Sequence, residues 1–462
     1  MRKLIALPLL LVVFFSNAQD LTEDSLFIKR ISNNILSSND AYDNLWYLTK
    51  KIGHRLAGSE GMVKSEKWGL ELFKKYKADN AYLQQCMVPN WKRGGKDVAS
   101  VSYKLKGKTK TENLNVLALG NSLGSGQKGI KAPLIFVNSF DDLEAKKDKL
   151  KGKIVFYDIP FGDTLVNPFD SYRMYAGYRG AAASRAAKYG AVGVMIRSMS
   201  HSTDNYPHTG AMRYNDSFPK IPAVAVGLQD VVSLGLLKFL HDEENLTAFI
   251  KTNGKMLPDT IGNNVIAELK GTEFPDEFIT VGGHLDSWDV GEGAHDDGAG
   301  VVQTIEILRA FKALRYQPKR TIRFVLFANE ENGLRGGIKY AEEAKANNEK
   351  HLFALESDAG GFTPRTIGLT IPESAWSKIE SWKKLFVPYS ITSWDKSGGG
   401  ADIGPLARLL KTPLGGYEPD SQRYFDHHHA DNDVFEAVNI RELKLGAINM
   451  AALIYLVDKY GL

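Results

Sequence analysis

Residues 277–316 read EFITVGGHLDSWDVGEGAHDDGAGVVQTIEILRAFKALRY, and this stretch decides the fold class. It begins with a short apolar run and ends with apolar residues at helical spacing, namely Val301, Ile305, Leu308 and Phe311. Between them lies a glycine-rich loop crowded with histidines and carboxylates. A strand, a polar loop and an amphipathic helix in this order are typical of a βα unit.

The same pattern repeats along the chain from residue 262 onward. Apolar strands such as RTIRFVLFA and HLFALES alternate with helical segments such as GGIKYAEEAKANNEK. Strands that are apolar throughout are buried on both faces, as in a parallel sheet covered by helices. The sequence therefore predicts an α/β fold in which helices flank the sheet.

Acidic or imidazole side chains follow three of these strands. They are His284 and Asp286, Glu330 and Glu331, and Asp358. Because the carboxyl ends of parallel strands meet at one edge of a sheet, these side chains are expected to converge. A bound cation would offset the repulsion among so many carboxylates. Imidazole and carboxylate ligands without thiolate suit zinc, with manganese or cobalt as alternatives.

Each of these features also has a structural interpretation. Asp297 stands where it would cap the following helix. An Asn-Glu-Glu after a strand is commonly a solvated turn, and a histidine beside glycine is commonly structural. Because such residues follow three separate apolar strands, a metal site is the favoured interpretation. One more ligand is expected from FDHHHADND, residues 425–433, where composition leaves the choice among three histidines open.

Changes in composition predict the domain organisation. Residues 19–120 are predicted to be the N-terminal part of the main domain, and residues 259–462 its larger part. Between them, residues 121–258 alternate strands and helices without a cluster of reactive groups, which indicates an inserted lid or substrate-selecting domain. This insert begins at the glycine-rich NSLGSGQKGIK, and GKMLPDTIG reads as the linker that closes it.

The N-terminal residues 1–18 predict a cleavable signal peptide and hence a secreted or periplasmic protein. Arg2 and Lys3 precede an apolar run over residues 4–15, and Ser16 and Ala18 are small. The run is too short to span a bilayer, and no cysteine follows it, so no membrane anchor is expected. A buried N-terminal helix is the alternative.

Cysteine usage and charge exclude several classes of protein. Cys86 is the one cysteine, so neither an intrachain disulfide nor a cysteine zinc site can form. The net charge is only +4 over 462 residues, which argues against nucleic acid or an anionic membrane surface as a partner.

Five ordered motifs resemble those of the M28 zinc exopeptidases. They are GGHLDSWDVGEGAHDDGAG, FANEENGLRGG, LESDAGG, SGGGADIGPL and YFDHHHADND, and GHRLAGSEG near the N-terminus fits the same pattern. The resemblance covers nearly the whole chain after residue 18. It implies an aminopeptidase-like zinc-exopeptidase sheet, an inserted protease-associated-like α/β domain and a homodimer. It also implies two zinc ions per chain, about 3 to 4 Å apart.

The resemblance assigns five metal ligands: His284, Asp296, Glu331, Asp358 and His427. Asp296 would bridge the two ions, and Glu331 and Asp358 would bind one ion each. In the family the last ligand lies four residues before an acidic residue. Asp431 therefore selects His427 over the two histidines that follow it.

Other residues receive roles beside the metal ions by the same resemblance. Glu330 would take a proton from the attacking water and pass it to the leaving amine. Asp286 would hold the His284 ring, because a metal-bound imidazole needs its other nitrogen anchored. Tyr424 is a candidate for a substrate hydrogen bond, with packing as the alternative. Gly399 is a candidate for an amide nest that binds a substrate carboxylate, with a tight connecting loop as the alternative.

Two residues depart from the family pattern. His295 precedes the bridging aspartate where a small or apolar residue is usual, and it either competes as a ligand or supports the site from behind; the second is favoured. Asn432 stands where the family often has threonine, which bears on the surroundings of His427.

The predicted function is hydrolysis of dipeptides or short peptides by a carboxypeptidase or dipeptidase. An aminopeptidase is the alternative within the family. The aminopeptidase needs an acidic group for the substrate ammonium, whereas the carboxypeptidase needs a cation or amides for the carboxylate. A non-catalytic, receptor-like binding module is a remote alternative, because all the ligands and Glu330 are present.

Overall fold

The computed structural model describes residues 21–462, so the predicted signal peptide at residues 1–18 lies outside the described residues. The α-helices of the described part are α1 Thr22–Ser37, α2 Asp40–Trp46, α3 Glu60–Lys75, α4 Phe140–Ala145, α5 Pro168–Ala187, α6 Leu228–His241, α7 Ala299–Ala313, α8 Glu330–Gly333, α9 Arg335–Ala346, α10 Trp376–Phe386, α11 Gly404–Leu410, α12 Tyr424–His427 and α13 Ile440–Tyr460.

The strands form two sheets. They are β1 Asn80–Lys92, β2 Val98–Leu105, β3 Lys108–Leu114, β4 Val116–Ala118, β5 Ile130–Val137, β6 Ile154–Tyr157, β7 Gly193–Arg197, β8 Ala223–Val226, β9 Thr247–Lys251, β10 Lys255–Leu269, β11 Phe274–His284, β12 Arg320–Phe327, β13 Lys350–Ser357, β14 Pro364–Thr370, β15 Ser393–Asp395 and β16 Leu414–Pro419.

The first sheet has the order β1-β10-β12-β11-β13-β16-β14-β15. Its four central strands, β12, β11, β13 and β16, run parallel, and β1, β10 and β14 pair antiparallel with their neighbours towards the edges. Strand β12 is buried along almost its whole length, as its uninterrupted apolar sequence predicts. The predicted α/β fold is confirmed.

Helices cover both faces of the first sheet. Helices α1, α7, α10 and α13 contribute to one hydrophobic core, and α9 and α11 to a smaller core on the opposite face. Helix α13 is buried over most of its length, and the side chain of Asn439 accepts hydrogen bonds from the amides of Arg441 and Glu442 at its start. The first sheet is therefore packed between a hydrophobic core on each face.

The second sheet has the order β3-β2-β9-β5-β6-β7-β8-β4, and we call residues 98–251, which contain its strands, the second-sheet unit. This unit begins upstream of the predicted boundary at residue 121. The reason is that β2 pairs antiparallel with β9 and closes the edge of the sheet. The glycine-rich stretch that suggested a boundary is instead a connection inside the unit, between β4 and β5.

The stretch GKMLPDTIG, predicted as a linker, forms the first part of the long strand β10. Its residues pair with the second half of β1, from Cys86 to Lys92, across a β-bulge. Cross-strand partners far away in sequence thus override the turn-like composition. In residues 21–462 no helix is both long enough and apolar enough to cross a membrane.

Candidate metal centre

The site lies at the carboxyl ends of the parallel strands, where the sequence placed it. Strand β11 ends at His284, Glu330 follows β12 after two residues, and Asp358 directly follows β13. Asp296 joins them from the loop before α7. Because these strands are neighbours in the sheet, their ends converge on one cluster.

One half of the cluster is built around His284. Its Nε2 lies 3.1 Å from Asp296 Oδ1 and 3.2 Å from Asp358 Oδ1. On the other side of the ring, the Nδ1–H donates to the backbone carbonyl of Asp286 at 3.0 Å. Protonation at Nδ1 leaves the Nε2 lone pair free, so this nitrogen can bind a metal ion together with the two carboxylates.

The other half of the cluster is built around His429. Its Nε2 lies 3.2 Å from Asp296 Oδ2 and 3.1 Å from Glu331 Oε2. The two oxygens of Asp296 therefore face two different imidazoles, which is the geometry of a bridging carboxylate. His284, Asp296 and Asp358 offer donor atoms that lie close enough together to hold a metal ion, and so do Asp296, His428 and His429.

The structure corrects the choice of His427. The Nδ1–H of this histidine donates to the carbonyl of Asn432 at 3.1 Å, and its ring stays half-buried outside the cluster. The spacing rule of four residues to an acid fits His429 and Asp433 equally well. Asp433 is buried and accepts amide hydrogen bonds from the loop that carries Asp296, whereas Asp431 is exposed.

His428 occupies an intermediate position. Its ring stacks on that of His429 with a centroid distance of 3.5 Å. Its Nε2 lies 3.9 Å from Asp296 Oδ2, compared with 3.2 Å for the Nε2 of His429. Since His428 is farther from Asp296 and makes no comparable approach to Glu331, we assign the ligand position to His429.

The structure also corrects the role of Asp286. Its carboxylate accepts the amide hydrogens of Glu330 at 2.9 Å and Glu331 at 3.3 Å. The nearest carboxylate oxygen is 3.8 Å from His284 Nδ1, so the ring is held by the backbone carbonyl instead. The side chain of Asp286 thus fixes the turn that presents the two glutamates.

Glu330 and Glu331 both border a cavity of about 620 Å³ but differ in their partners. Glu331 is buried and lies 3.1 Å from His429 Nε2, whereas Glu330 is half-buried. Burial raises the pKa of Glu330 well above 4.5; His284 lowers it, and Asp358 and Glu331 raise it. Glu330 is therefore placed to exchange a proton with a molecule in the cavity.

The electrostatics of the cluster call for added positive charge. Burial lowers the pKa of His429, but Glu331 and Asp296 outweigh it and raise that pKa from 6.5 to about 10. The pKa of His284 is likewise raised well above 6.5, against the effect of burial, by Asp358 and Asp296. Glu331 Oε1 is buried and accepts no hydrogen bond from residues 21–462. These donors fit divalent cations, which would take the place of the protons.

Asp297 and His295 are structural. Asp297 accepts the amide of Gly300 at 3.0 Å, at the start of α7, and the amide of His284 at 3.1 Å. His295 stacks on Phe362 at 4.0 Å, and burial lowers its pKa to about 3. A neutral, packed imidazole supports the loop from behind and does not join the cluster.

The two substrate candidates differ in position. Tyr424 is buried and borders the cavity next to the cluster. Gly399 packs against Leu414 and Gly416 and is not among the residues that line this cavity. Of the alternatives for Gly399, the tight connecting loop fits the structure.

Sequence reasoning left Arg55 without a role. This fully buried arginine, from the motif GHRLAGSEG, donates to the carbonyls of Leu285 at 2.6 Å, Glu292 at 2.9 Å and Gly293 at 2.9 Å. It ties down the loop between His284 and Asp296. A lone basic residue inside a glycine-rich motif was the available signal.

Comparisons with known proteins agree with this geometry. Residues 264–454 match the family model for peptidase family M28. Carboxypeptidase Q of Mus musculus is 31% identical over 419 residues, covering 91% of this chain and 86% of the relative. Carboxypeptidase Q of Homo sapiens is 31% identical over 428 residues, with the same coverage.

Solved structures give the same result. The peptidase M28 precursor from Shewanella amazonensis SB2B superposes with a TM-score of 0.89 at 32% identity, covering 94% of this chain and 97% of that chain. An aminopeptidase from Aneurinibacillus sp. strain AM-1 shares the fold, with a TM-score of 0.62 at 20% identity over 94% of this chain and 95% of that chain. The chain therefore belongs to peptidase family M28, and it is a metallopeptidase.

Proposed function

We propose that this metallopeptidase is a two-zinc exopeptidase that cleaves dipeptides or short peptides from the carboxyl-terminal side. The observation that carries the proposal is the position of Asp296, whose two oxygens face the Nε2 atoms of His284 and His429 at 3.1 and 3.2 Å. Asp358 and Glu331 complete the two halves. Nitrogen and oxygen donors without thiolate suit zinc.

Two zinc ions held by these residues would supply a water nucleophile and polarise the scissile carbonyl. The protein's own contribution is proton transfer and orientation. Glu330 borders the cavity and is placed to accept a proton and deliver it to the leaving amine. Asp286 holds the Glu330 amide at 2.9 Å and so fixes where that carboxylate points.

The charges that line the cavity support carboxyl-terminal recognition. Its four acidic residues are Asp296, Glu330, Glu331 and Asp358. The proposal assigns all four to metal binding or proton transfer, which leaves none to bind a substrate ammonium group. Three arginines, Arg179, Arg213 and Arg335, line the same cavity and suit a carboxylate.

Hydrolysis of alanyl-alanine in its free, N-acetylated and C-amidated forms tests the proposal, with and without chelator. We expect the enzyme to cleave the free form and to leave the C-amidated form intact. The N-acetylated form is allowed to be cleaved or not. Cleavage of the C-amidated form and resistance of the N-acetylated form would instead identify an aminopeptidase.

A matched pair of variants tests the role of Glu330. Glu330→Gln should lower kcat by about 10²–10⁴-fold while bound zinc stays at the wild-type amount. Glu342→Gln, on an exposed position of α9, is the control and should leave kcat unchanged. Normal turnover by Glu330→Gln would refute the mechanism.

Export and assembly remain predictions of the sequence. We propose that residues 1–18 are removed during export to the periplasm or beyond the cell. N-terminal sequencing of the protein purified from its producing cell checks this. The predicted homodimer is checked by measuring the molar mass of the purified protein by light scattering.

A further inference from the structure

The imidazole of His429 is held from behind by the second-sheet unit. Its Nδ1 lies 3.3 Å from the carbonyl oxygen of Thr209 and 3.4 Å from Nη1 of Arg179. When Nε2 binds a metal ion, Nδ1 carries the ring proton and donates it to the Thr209 carbonyl, which is the nearer of the two groups and the one that can accept. The amide of Thr209 donates back to the carbonyl of His429 at 3.0 Å. The two segments are therefore bonded in both directions.

Neighbouring residues add further hydrogen bonds between the histidine segment and the second-sheet unit. The Nδ1–H of His208 donates to the carbonyl of His428 at 2.7 Å. The Thr209 hydroxyl donates to the carbonyl of Ala118 at 2.8 Å, and the His208 amide donates to Ser198 Oγ at 2.9 Å. Residues 208–209 are thus fixed within their own unit and, at the same time, to the histidine segment.

Arg179 of helix α5 contacts the same carbonyl oxygen. Its Nη1 lies 3.4 Å from Thr209 O, and its Nη2 donates to the Tyr172 hydroxyl at 2.6 Å. The buried guanidinium fits only because residue 210 is glycine: a Cβ on Gly210 would fall 2.3 Å from Arg179 Cζ, and the φ of +134° also disfavours a side chain there.

We propose that the second-sheet unit is a structural part of one metal site, with the Thr209 carbonyl as the group that orients His429. This inference rests on the proposed two-zinc function. An anchored Nδ1–H keeps the Nε2 lone pair turned towards Asp296 and Glu331, which raises the metal affinity of that half of the cluster. If the second-sheet unit moved away from the histidine segment, the His429 ring would lose this support. We therefore expect the unit to keep a fixed position at this contact.

Zinc binding distinguishes this role from ordinary packing. Chelator-treated full-length protein is titrated with Zn²⁺ in competition with a chromophoric chelator. Gly210→Ala should weaken one of the two zinc ions by about 10–100-fold and leave the other within about threefold. The matched control is Gly177→Ala in the same unit, where an added Cβ meets nothing within 4 Å and both affinities should stay at wild type.

Thr209→Val gives an independent reading, because it removes the hydroxyl bond to Ala118 and keeps the backbone. The same ion should be weakened, by a smaller factor. Wild-type affinity for both ions in the folded variants, or an equal loss of both, would overturn the inference. If Gly210→Ala does not fold, Thr209→Val decides alone. A wild-type chain that binds no zinc would instead refute the proposed function, and this inference with it.

Discussion

The two histidines of the candidate metal centre have the same chemistry but different supports. His284 is oriented by the carbonyl of Asp286, two residues away in the same loop. His429 is oriented by the carbonyl of Thr209, 220 residues away in the second-sheet unit. One half of the site is thus encoded locally and the other half exists only when the two sheets meet.

This difference explains why one histidine was found by its motif and the other was not. A His-x-Asp triplet at the end of a strand contains both the ligand and its support. The triple histidine contains the ligand but not the support, and spacing alone could not choose among three adjacent rings.

The largest expected effect separates the candidate ligands. His429→Ala should lose one zinc ion per chain and fall to the activity of the chelator-treated enzyme, because half of the cluster loses its nitrogen ligand. His427→Ala is the control and should keep both ions and its activity within about threefold. Elemental analysis and dipeptide hydrolysis measure both. The reverse result would restore His427 as the ligand.

Replacement of Asp286 tests the half of the cluster that is built around His284. Asp286→Asn should lower kcat by about 10–100-fold, because the two amides of the turn that presents Glu330 and Glu331 keep only one acceptor oxygen, and the new NH₂ group faces the other amide. The ion bound through His284 should remain, since the backbone carbonyl still holds that ring. Zinc content is measured beside kcat. Loss of this ion would show that the side chain does hold the ring.

Substrate binding tests the part of the cavity lining that comes from the second-sheet unit. Arg213→Gln should raise KM for a free dipeptide about tenfold or more, because a charge-assisted hydrogen bond contributes about 1.5–3 kcal/mol. The inhibition constant of the uncleaved C-amidated analogue should not change. Lys131→Gln, exposed in the same unit, is the control. Equal weakening of the free dipeptide and the C-amidated analogue would contradict carboxylate recognition.

The smallest expected effect concerns a carboxylate beside an imidazole at the opposite end of the first sheet. This carboxylate is neutralised by an arginine. Glu349 accepts hydrogen bonds from His351 at 2.9 Å and Arg323 at 2.7 Å. Although burial raises the pKa of Glu349, these partners lower it from 4.5 to about 2. No metal is needed there.

Because the folded-state pKa of Glu349 is depressed, its stabilisation is complete above pH 4.5 and is lost as the pH falls towards 2. Glu349→Gln should therefore lower the free energy of unfolding by about 1–3 kcal/mol at pH 7, and by less at pH 4. Urea unfolding at both pH values measures this, with Glu342→Gln as the control. An equal difference at both pH values would contradict the ionic origin.

Much of the fold followed from pattern alone. Apolar runs such as RTIRFVLFA gave the parallel centre of the first sheet, because strands buried on both faces tolerate few polar residues. The domain boundary did not follow. The strand β10 begins inside a stretch of Pro, Asp and Gly, and only its pairing with β1 makes it a strand.

The sequence by itself determined the α/β class, the family resemblance and the strand ends that carry His284, Glu330, Glu331 and Asp358, because each of these residues lies at or just after the end of an apolar strand. Only the tertiary structure decided which of three adjacent histidines faces Asp296 and what Asp286 supports. The physical reason is that a side chain's direction depends on hydrogen-bond partners that fold against it, and for His429 those partners lie in another sheet.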